Sequence, residues 1–216
     1  MERDTAPDRA RRSWEKFLDS ESLRFSLTIG SVYLTAYEFL MEALVERLKS
    51  FYASEWTPEG VVPGPDYKAK VLTRHKMVYL ASAEWFVEMG ALDTADIEAL
   101  RKVRDHRNFI AHNIPRIILE AGVEVDPHLL GEIVRLVSKL DRWWLRYVEI
   151  PSNPDFDDKE PSEEEIEDAF SMRMYSLHLL ISFVSGDDGP LRDLHTSFKD
   201  AWPEEAEASD AGIQEE

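Results

Sequence analysis

The stretch from Ser22 to Tyr52 constrains the fold most, because its apolar residues follow a helical period on two sides at once. The first apolar stripe comprises Ile29, Tyr33, Ala36, Tyr37, Leu40, Leu44, Leu48 and Phe51. The second stripe, on nearly the opposite side, comprises Leu34, Met41 and Val45 and surrounds Glu38. A helix that is apolar on both sides is buried between two layers. We expect one layer to be the core of the domain, and a second subunit could supply the other.

Start and stop signals divide the next part of the chain into a loop and two helices. Residues Glu55–Pro65 are rich in proline and glycine and are predicted to form a loop. A helix is predicted from about Asp66 to Met89, with Gly90 as its C-terminal cap. Asp93 or Thr94 then caps a third helix. No strand-like alternation is evident.

The remaining helices begin at well-defined capping sequences. Asp126–Pro127 is an N-cap followed by proline at the first helical position, and its helix is predicted to run to about Tyr147. Ser162–Glu165 forms a capping box for a fifth helix that ends near Val184. A short sixth helix is predicted at Leu191–Ala201. The sequence therefore predicts an all-α fold, an up-and-down bundle of four main helices with one or two additional C-terminal helices.

Four regions are expected along the chain. Residues 1–20 are predicted to be a mobile N-terminus and residues 21–150 a helical bundle. Residues 151–202 are predicted to be an acidic linker with appended helices, and residues 203–216 a disordered acidic tail. The tail could cover a basic groove or serve a partner, but solubility is the favoured interpretation.

Composition favours a soluble cytoplasmic protein. The chain has no cysteine, which excludes disulfide scaffolds and thiolate metal sites. Its most apolar run, 29–45, is interrupted by Glu38 and Glu42, so no membrane span or membrane partner is predicted. The net charge of −18 argues against nucleic acid at first sight. However, residues 1–150 carry 21 Lys and Arg against 24 Asp and Glu, and the remaining 4 basic residues face 19 acidic ones, so the acidity belongs to the C-terminal third.

An arginine interrupts the apolar side of the third helix. Residues on that side are Leu100, Val103, Ile110, Ala111 and Ile114. Arg107 falls among them, and arginine is almost never buried without a partner. Asp105, Asn108 and His112 project to the adjoining side, and Pro115 is expected to end the helix soon after His112. One short segment thus offers a cation, an amide and an imidazole.

The six residues from Arg107 to His112 resemble the R-x(4–6)-H motif of the HEPN superfamily, and the resemblance covers Leu23 to about Tyr147. Two other pairs have the same spacing, Arg101 with His106 and Arg173 with His178. The Arg107 pair is preferred because it alone has asparagine directly after the arginine, has apolar spacers and lies late in an amphipathic helix.

The resemblance implies a metal-independent endoribonuclease of a prokaryotic defence or toxin–antitoxin type, acting as a homodimer. It would cleave RNA by transesterification to a 2′,3′-cyclic phosphate, and a cognate antitoxin or regulator could control it. His112 would transfer protons, Arg107 would stabilise phosphate charge and Asn108 would position the scissile phosphate or the imidazole. Supporting candidates are Glu38, as a partner of Arg107, together with Arg104 and Asp105.

Basic side chains near this segment are candidates for contacts to the RNA backbone: Lys68, Lys70, Arg74, Lys76, Arg101 and Lys102. Solvated helix faces are the favoured interpretation of these charges. Trp143 and Trp144 could stack on bases, although packing is favoured at their helical spacing.

No metal and no cofactor is predicted, because the six histidines lack the spacing of a metal-binding helix and no nucleotide-binding motif is present. The alternative to an enzyme is a non-catalytic HEPN-like helical module for interaction or RNA binding, in which Arg107, Asn108 and His112 serve packing or binding.

Overall fold

The computed structural model describes residues 5–156 and 161–202. It is 78% helix and 5% strand, so the all-α prediction is confirmed. The four-helix up-and-down arrangement stays a prediction. In the described part of the chain, no helix is both long and apolar enough to cross a membrane.

The N-terminal half contains helices and one hairpin. Its elements are α1 (Ala6–Leu18), α2 (Ser20–Met41), π1 (Glu42–Glu46), α3 (Arg47–Phe51), β1 (Ala53–Thr57), β2 (Gly60–Pro63), α4 (Pro65–Tyr67), π2 (Lys68–Leu72) and α5 (Val78–Glu88). After α5, the described residues form helices joined by short connections. These elements are α6 (Thr94–Leu119), α7 (Pro127–Trp144), π3 (Leu145–Glu149), α8 (Ile150–Ser152), a 3₁₀ turn (Pro154–Phe156), α9 (Glu163–Asp168), α10 (Met172–Val184) and α11 (Gly189–Ala201).

The centre of the fold is the antiparallel packing of α2 against α6. The hydroxyl of Tyr33 on α2 donates to the carbonyl of Val103 on α6 at 3.1 Å. One turn earlier, Gly30 lies so close to α6 that a Cβ there would be 3.9 Å from Ile110 Cγ2. The first apolar stripe of α2 is buried as predicted, except that Phe51 is half exposed. These contacts fix which side of α6 faces α2.

The predicted caps are present. Asp93 and Asp96 form a capping box at the start of α6, Asp126 caps α7 and Ser162 caps α9. Gly90, past the end of α5, has a φ of 77°, the left-handed conformation that ends many helices. Local side-chain chemistry therefore sets these boundaries.

Helix α6 continues past the point where the sequence predicted its end. Asn113 is non-helical, with φ −126° and ψ 19°, and the helix resumes to Leu119. Pro115 cannot donate a hydrogen bond to the preceding turn, and its ring crowds the carbonyl of Ala111. The side-chain amide of Asn113 donates to the carbonyl of Phe109 at 2.8 Å and thereby supports the kink. Proline therefore bends this helix rather than ending it.

Two predictions for residues 55–89 are wrong. The expected loop contains a β-hairpin, with Ala53 paired to Pro63 and Thr57 paired to Gly60. The helix expected from Asp66 to Met89 is interrupted at residues 73–77. There the backbone N–H of Met77 donates to His75 Nδ1 at 2.9 Å, so a side chain replaces a helical carbonyl.

The predicted fifth helix is also wrong in its continuity. It is interrupted at residues 169–171, where Ser171 accepts a hydrogen bond from Met174 N and caps a separate helix, α10. Its expected end near Val184 is confirmed, and the sixth helix is present as α11.

The N-terminal segment contains a helix that was not predicted. Lys16 on α1 donates to the carbonyls of Glu120 and Val123 at 3.1 and 3.0 Å, and the N–H of Ala121 donates to Ser13 Oγ. These bonds tie α1 to the loop after α6. The domain boundaries stay predictions, and the tail at 203–216 lies outside the described residues.

Two carboxylates, one buried and one largely buried, form ion pairs between the helices of the bundle. Asp96 on α6 is almost fully buried and pairs with Arg135 at 2.7 Å and Lys139 at 2.5 Å on α7. Burial alone raises the pKa of Asp96, but the hydrogen bonds from Lys139 and Arg135 outweigh it and hold the pKa below its usual range. Ion pairs therefore join the start of α6 to α7.

Asp141 on α7 is the second carboxylate, and its side chain is largely buried. It lies 2.7 Å from Arg47 on α3 and 2.8 Å from Arg173 on α10, and it accepts from the hydroxyl of Ser171 at 2.6 Å. Three elements thus converge on one side chain, and both arginines are largely buried.

We expect Asp141→Ala to lower the free energy of unfolding by about 3–5 kcal/mol, because it leaves the largely buried Arg47 without its anion and leaves Arg173 with only the exposed Glu42. Urea unfolding followed by circular dichroism measures this loss. The matched control is Glu15→Gln, which breaks the exposed pair with Arg11 at 3.7 Å and should cost less than about 0.5 kcal/mol. Equal losses in the two variants would contradict the assigned role.

Candidate functional site

Arg107 lies at the seam between α6 and α2. Its guanidinium carbon is 5.4 Å from the centre of the Tyr37 ring, and Nη2 is 3.4 Å from Glu38 Oε1. About a third of the side chain is exposed, while Nε is buried and has no hydrogen-bond acceptor. The structure therefore leaves this cation partly accessible and incompletely paired.

Arg104, one turn earlier on α6, has a similar setting. Its guanidinium carbon is 5.0 Å from the centre of the Tyr79 ring, which belongs to α5. No carboxylate within residues 5–156 and 161–202 lies within ion-pair distance of Arg104. Burial raises the pKa of Tyr37, and the positive charges of Arg104 and Arg107 oppose that shift. Both cations thus act on one buried phenol.

His112 is exposed, and it lies directly before the non-helical Asn113. Asn108, one turn earlier on the same side, is half buried, and Asp105 is exposed. Five residues of α-helix separate the directions of Arg107 and His112 by about 140°. The two side chains of one copy therefore point to different parts of the surface, with Asn108 between them.

The surface that contains Arg107 carries apolar residues. On α2 it comprises Leu27, Ser31, Leu34 and Glu38, and on α6 it comprises Arg107, Ala111 and Ile114, each series at helical spacing. We name these seven residues the motif surface. Ala111 and Ile114 belong to the apolar side of α6 in the sequence, and both are exposed in the structure. The reason is that α2 covers only the side of α6 marked by Val103 and Ile110.

In each of the other two Arg–His pairs, one residue has a structural role. His106 Nε2 accepts a hydrogen bond from the N–H of Asp126 at 2.9 Å, and its ring meets Tyr33 edge to face. Arg173 is held by Asp141 and Glu42. In the described chain, neither the Arg107 nor the His112 side chain bonds to the backbone or to a buried carboxylate. The Arg107 pair differs in this respect from the other two pairs.

The candidate backbone contacts are dispersed and several are paired. Lys70 pairs with Asp66 at 2.7 Å, Arg74 with Glu88, and Arg101 with Glu98 at 3.8 Å. Exposed members without such a pair in the described chain are Lys68, Lys76 and Lys102. These pairs fit solvated helix faces better than a shared groove.

The two tryptophans lie in an aromatic cluster. Trp143 contacts Trp85 and Phe86 edge to face, at 6.0 and 5.6 Å between ring centres. Trp144 is buried and contacts Phe51 at 5.5 Å. Packing rather than base stacking is their role in this structure.

Sequence reasoning missed the tyrosines of the site. Tyr37 was placed in the core stripe without reference to the arginines, and Tyr79 was not among the candidate site residues. Cation–π contacts join residues that are distant in sequence, so periodicity carries no signal for them. Among the described residues, no three histidine, aspartate or glutamate side chains group as metal ligands.

Comparison with known proteins yields no similarity: no family model, no curated protein and no solved structure matches the chain.

The partly buried His106 on α6 provides a pH test. Burial lowers the pKa of His106 below its ordinary value of 6.5, although the charge of Asp126 opposes the shift. The unfolded chain therefore binds this proton at a higher pH than the folded chain does, and stability falls as the pH drops below 6.5.

We expect His106 to be less protonated than an ordinary histidine at the same pH, and NMR titration of the imidazole signals measures this. His106→Gln serves to assign the signal. A pKa at or above 6.5 for His106 would contradict the buried acceptor role of Nε2.

Proposed function

We propose that the protein is an HEPN-like metal-independent endoribonuclease that acts as a homodimer. One observation carries the proposal: Arg107 is about a third exposed and His112 is exposed on one helix, whereas in each rival pair one residue, His106 or Arg173, is held by the fold. Both ends of the sequence motif are thus accessible on α6, although the two side chains point to different parts of its surface.

The chemistry assigns a task to each side chain. The imidazole of His112 takes the proton of the attacking 2′-hydroxyl or gives one to the leaving 5′-oxygen, since histidine changes charge near neutral pH. The guanidinium of Arg107 stabilises the charge that develops on the phosphorus oxygens, because its planar fork donates to two of them. Asn108 lies between the two and can orient the phosphate or the imidazole. The product is a 2′,3′-cyclic phosphate.

A second copy completes such a site. One histidine cannot readily act as base and acid together, and Arg107 and His112 of one copy diverge by about 140° around α6. Pairing two copies through the motif surface and the adjoining side of α6 that carries His112 would bring two arginines and two histidines to one cleft. Leu27 and Ile114, 47% and 41% exposed, are the apolar residues that such an interface would cover.

The proposal extends to the setting of the protein. It places an up-and-down HEPN-like bundle in the bacterial or archaeal cytoplasm, in a defence or toxin–antitoxin system whose antitoxin or regulator restrains the nuclease. Glu38 and Asp105 are supporting carboxylates next to the two arginines of the site.

A second candidate function has its own observation. The guanidinium of Arg107 already stacks on Tyr37 and contacts Glu38, as a residue that holds α6 to α2 would. In that case the protein is a non-catalytic helical module for interaction or RNA binding. The two functions differ in what removal of His112 does, since His112 is exposed and contributes little to packing.

We expect His112→Ala to reduce RNA cleavage in EDTA by about a hundredfold to ten-thousandfold, the usual contribution of a proton-transfer residue. The melting temperature should stay unchanged because His112 is exposed. Gel analysis of mixed RNA after incubation with each purified protein measures cleavage. His178→Ala is the matched control, an exposed histidine of a rival pair, and should cleave like the wild type. Equal activity of all three proteins would exclude His112 from catalysis.

We expect Ile114→Glu to produce a monomer without nuclease activity, because a carboxylate would be buried in the proposed interface. Size-exclusion chromatography with light scattering gives the mass, and circular dichroism checks the fold. Val62→Glu on β2 is the control, since Val62 is equally exposed but lies outside the motif surface. A fully active monomeric Ile114→Glu protein would disprove the composite site.

A further inference from the structure

Two guanidinium groups stand side by side on α6. Arg104 and Arg107 are three residues apart, a spacing that places their Cβ atoms about 5–6 Å from each other on one face of a helix. Each is held against a tyrosine ring, Tyr79 for Arg104 and Tyr37 for Arg107. Stacking on a ring leaves the hydrogen-bonding edge of a guanidinium free for an in-plane acceptor. The rings therefore orient both cations before any ligand binds.

The charge of this pair is not balanced within the described chain. Arg104 has no carboxylate partner there, and Glu38 is the single carboxylate that reaches Arg107. Their distance of 3.4 Å exceeds the 2.7–2.9 Å that is typical of a charge-assisted hydrogen bond. Glu38 is also 65% exposed, so water competes for its oxygens. The contact is consequently weak and easily exchanged for another anion.

The buried acids of the protein provide a contrast. Asp96 and Asp141 each hold two cations at 2.5–2.8 Å. At the Arg104–Arg107 pair the two cations share one acid that is 65% exposed and lies 3.4 Å from Arg107, and it does not pair with Arg104 in the described chain. Arg107 Nε is also buried without an acceptor, a feature that it shares with Arg173 Nε. The loose contact to an exposed acid therefore distinguishes the Arg104–Arg107 pair.

We propose that Arg104 and Arg107 form a clamp for a backbone phosphate of single-stranded RNA, and that Glu38 is an internal competitor which the phosphate displaces. The inference rests on the proposed function, because it uses the same Arg107 and the same ligand class. It adds Arg104 as a second phosphate-binding residue and assigns Glu38 a regulatory role: the carboxylate occupies the clamp weakly when no RNA is present and raises the RNA concentration needed to fill it.

Binding of a fluorescein-labelled mixed-sequence single-stranded RNA, measured by fluorescence anisotropy at several KCl concentrations, tests the clamp. All variants carry His112→Ala so that the RNA stays intact. Glu38→Gln should bind about two- to fivefold more tightly, the effect of removing one exposed competing charge. Arg104→Ala should bind more weakly. It should also make the negative slope of log K for binding against log salt concentration shallower by about 0.7, the contribution of each phosphate that a protein neutralises on a single strand.

Two variants on the same helix control for net charge. Glu120→Gln and Arg116→Ala remove the same charges from the exposed Arg116–Glu120 pair at the end of α6. They should leave affinity and salt slope close to those of the parent. If they change binding as much as Glu38→Gln and Arg104→Ala do, the effect is general electrostatics and the clamp is overturned.

A further variant separates binding from packing. Arg104→Gln keeps a long side chain over Tyr79 and should lower the salt slope as much as Arg104→Ala does, with an unchanged melting temperature. An unchanged slope in both variants overturns the proposal. Cleavage by the wild type is measured separately. If RNA binds through the clamp but is not cut, the nuclease proposal alone is contradicted. If RNA is cut but neither Arg104 nor Glu38 affects binding, the clamp alone is contradicted.

Discussion

The packing of α2 against α6 decides where every side chain of the site lies. The Tyr33–Val103 hydrogen bond and the close approach of Gly30 to Ile110 fix the rotation of α6 about its axis. With that rotation, Arg107 falls at the seam over Tyr37, and His112 falls on open surface. A different rotation would bury the histidine or release the arginine from its ring. The functional proposal thus follows from a helix contact in the core.

The charged groups of the protein divide into two classes. At Asp96 and Asp141, buried acids are matched by short bonds to several cations from other helices, and removing an acid would leave buried charge unpaired. At Arg104 and Arg107, the single acid within ion-pair distance in the described chain is exposed and lies 3.4 Å from Arg107, and both cations lie over tyrosine rings. A structural ion pair holds its acid buried at short distance, whereas a site for an anionic ligand presents cations whose anion is easily displaced. This difference is the physical basis for assigning the second group to RNA.

Helix starts were predictable because capping is local: Asp93, Asp126 and Ser162 each bond to backbone within three residues. The first apolar stripe of α2 was predictable from its period. The interruptions near His75 and Ser171 were not, because a side chain there takes a backbone bond that the helical pattern assigned to the next turn. The tyrosines under the arginines were also missed. Their contacts join α2 and α5 to α6, and no local pattern in the chain indicates the register between those helices.

The central claim is that His112 and Arg107, present twice in a homodimer, cut RNA without a metal. Mass spectrometry of the RNA fragments formed in EDTA tests this chemistry most directly, because the fragment ends record the attacking group. Attack by the neighbouring 2′-hydroxyl predicts fragments with 2′,3′-cyclic phosphate at one end and 5′-hydroxyl at the other. Fragments with 3′-hydroxyl and 5′-phosphate ends, or RNA that stays intact, would contradict it.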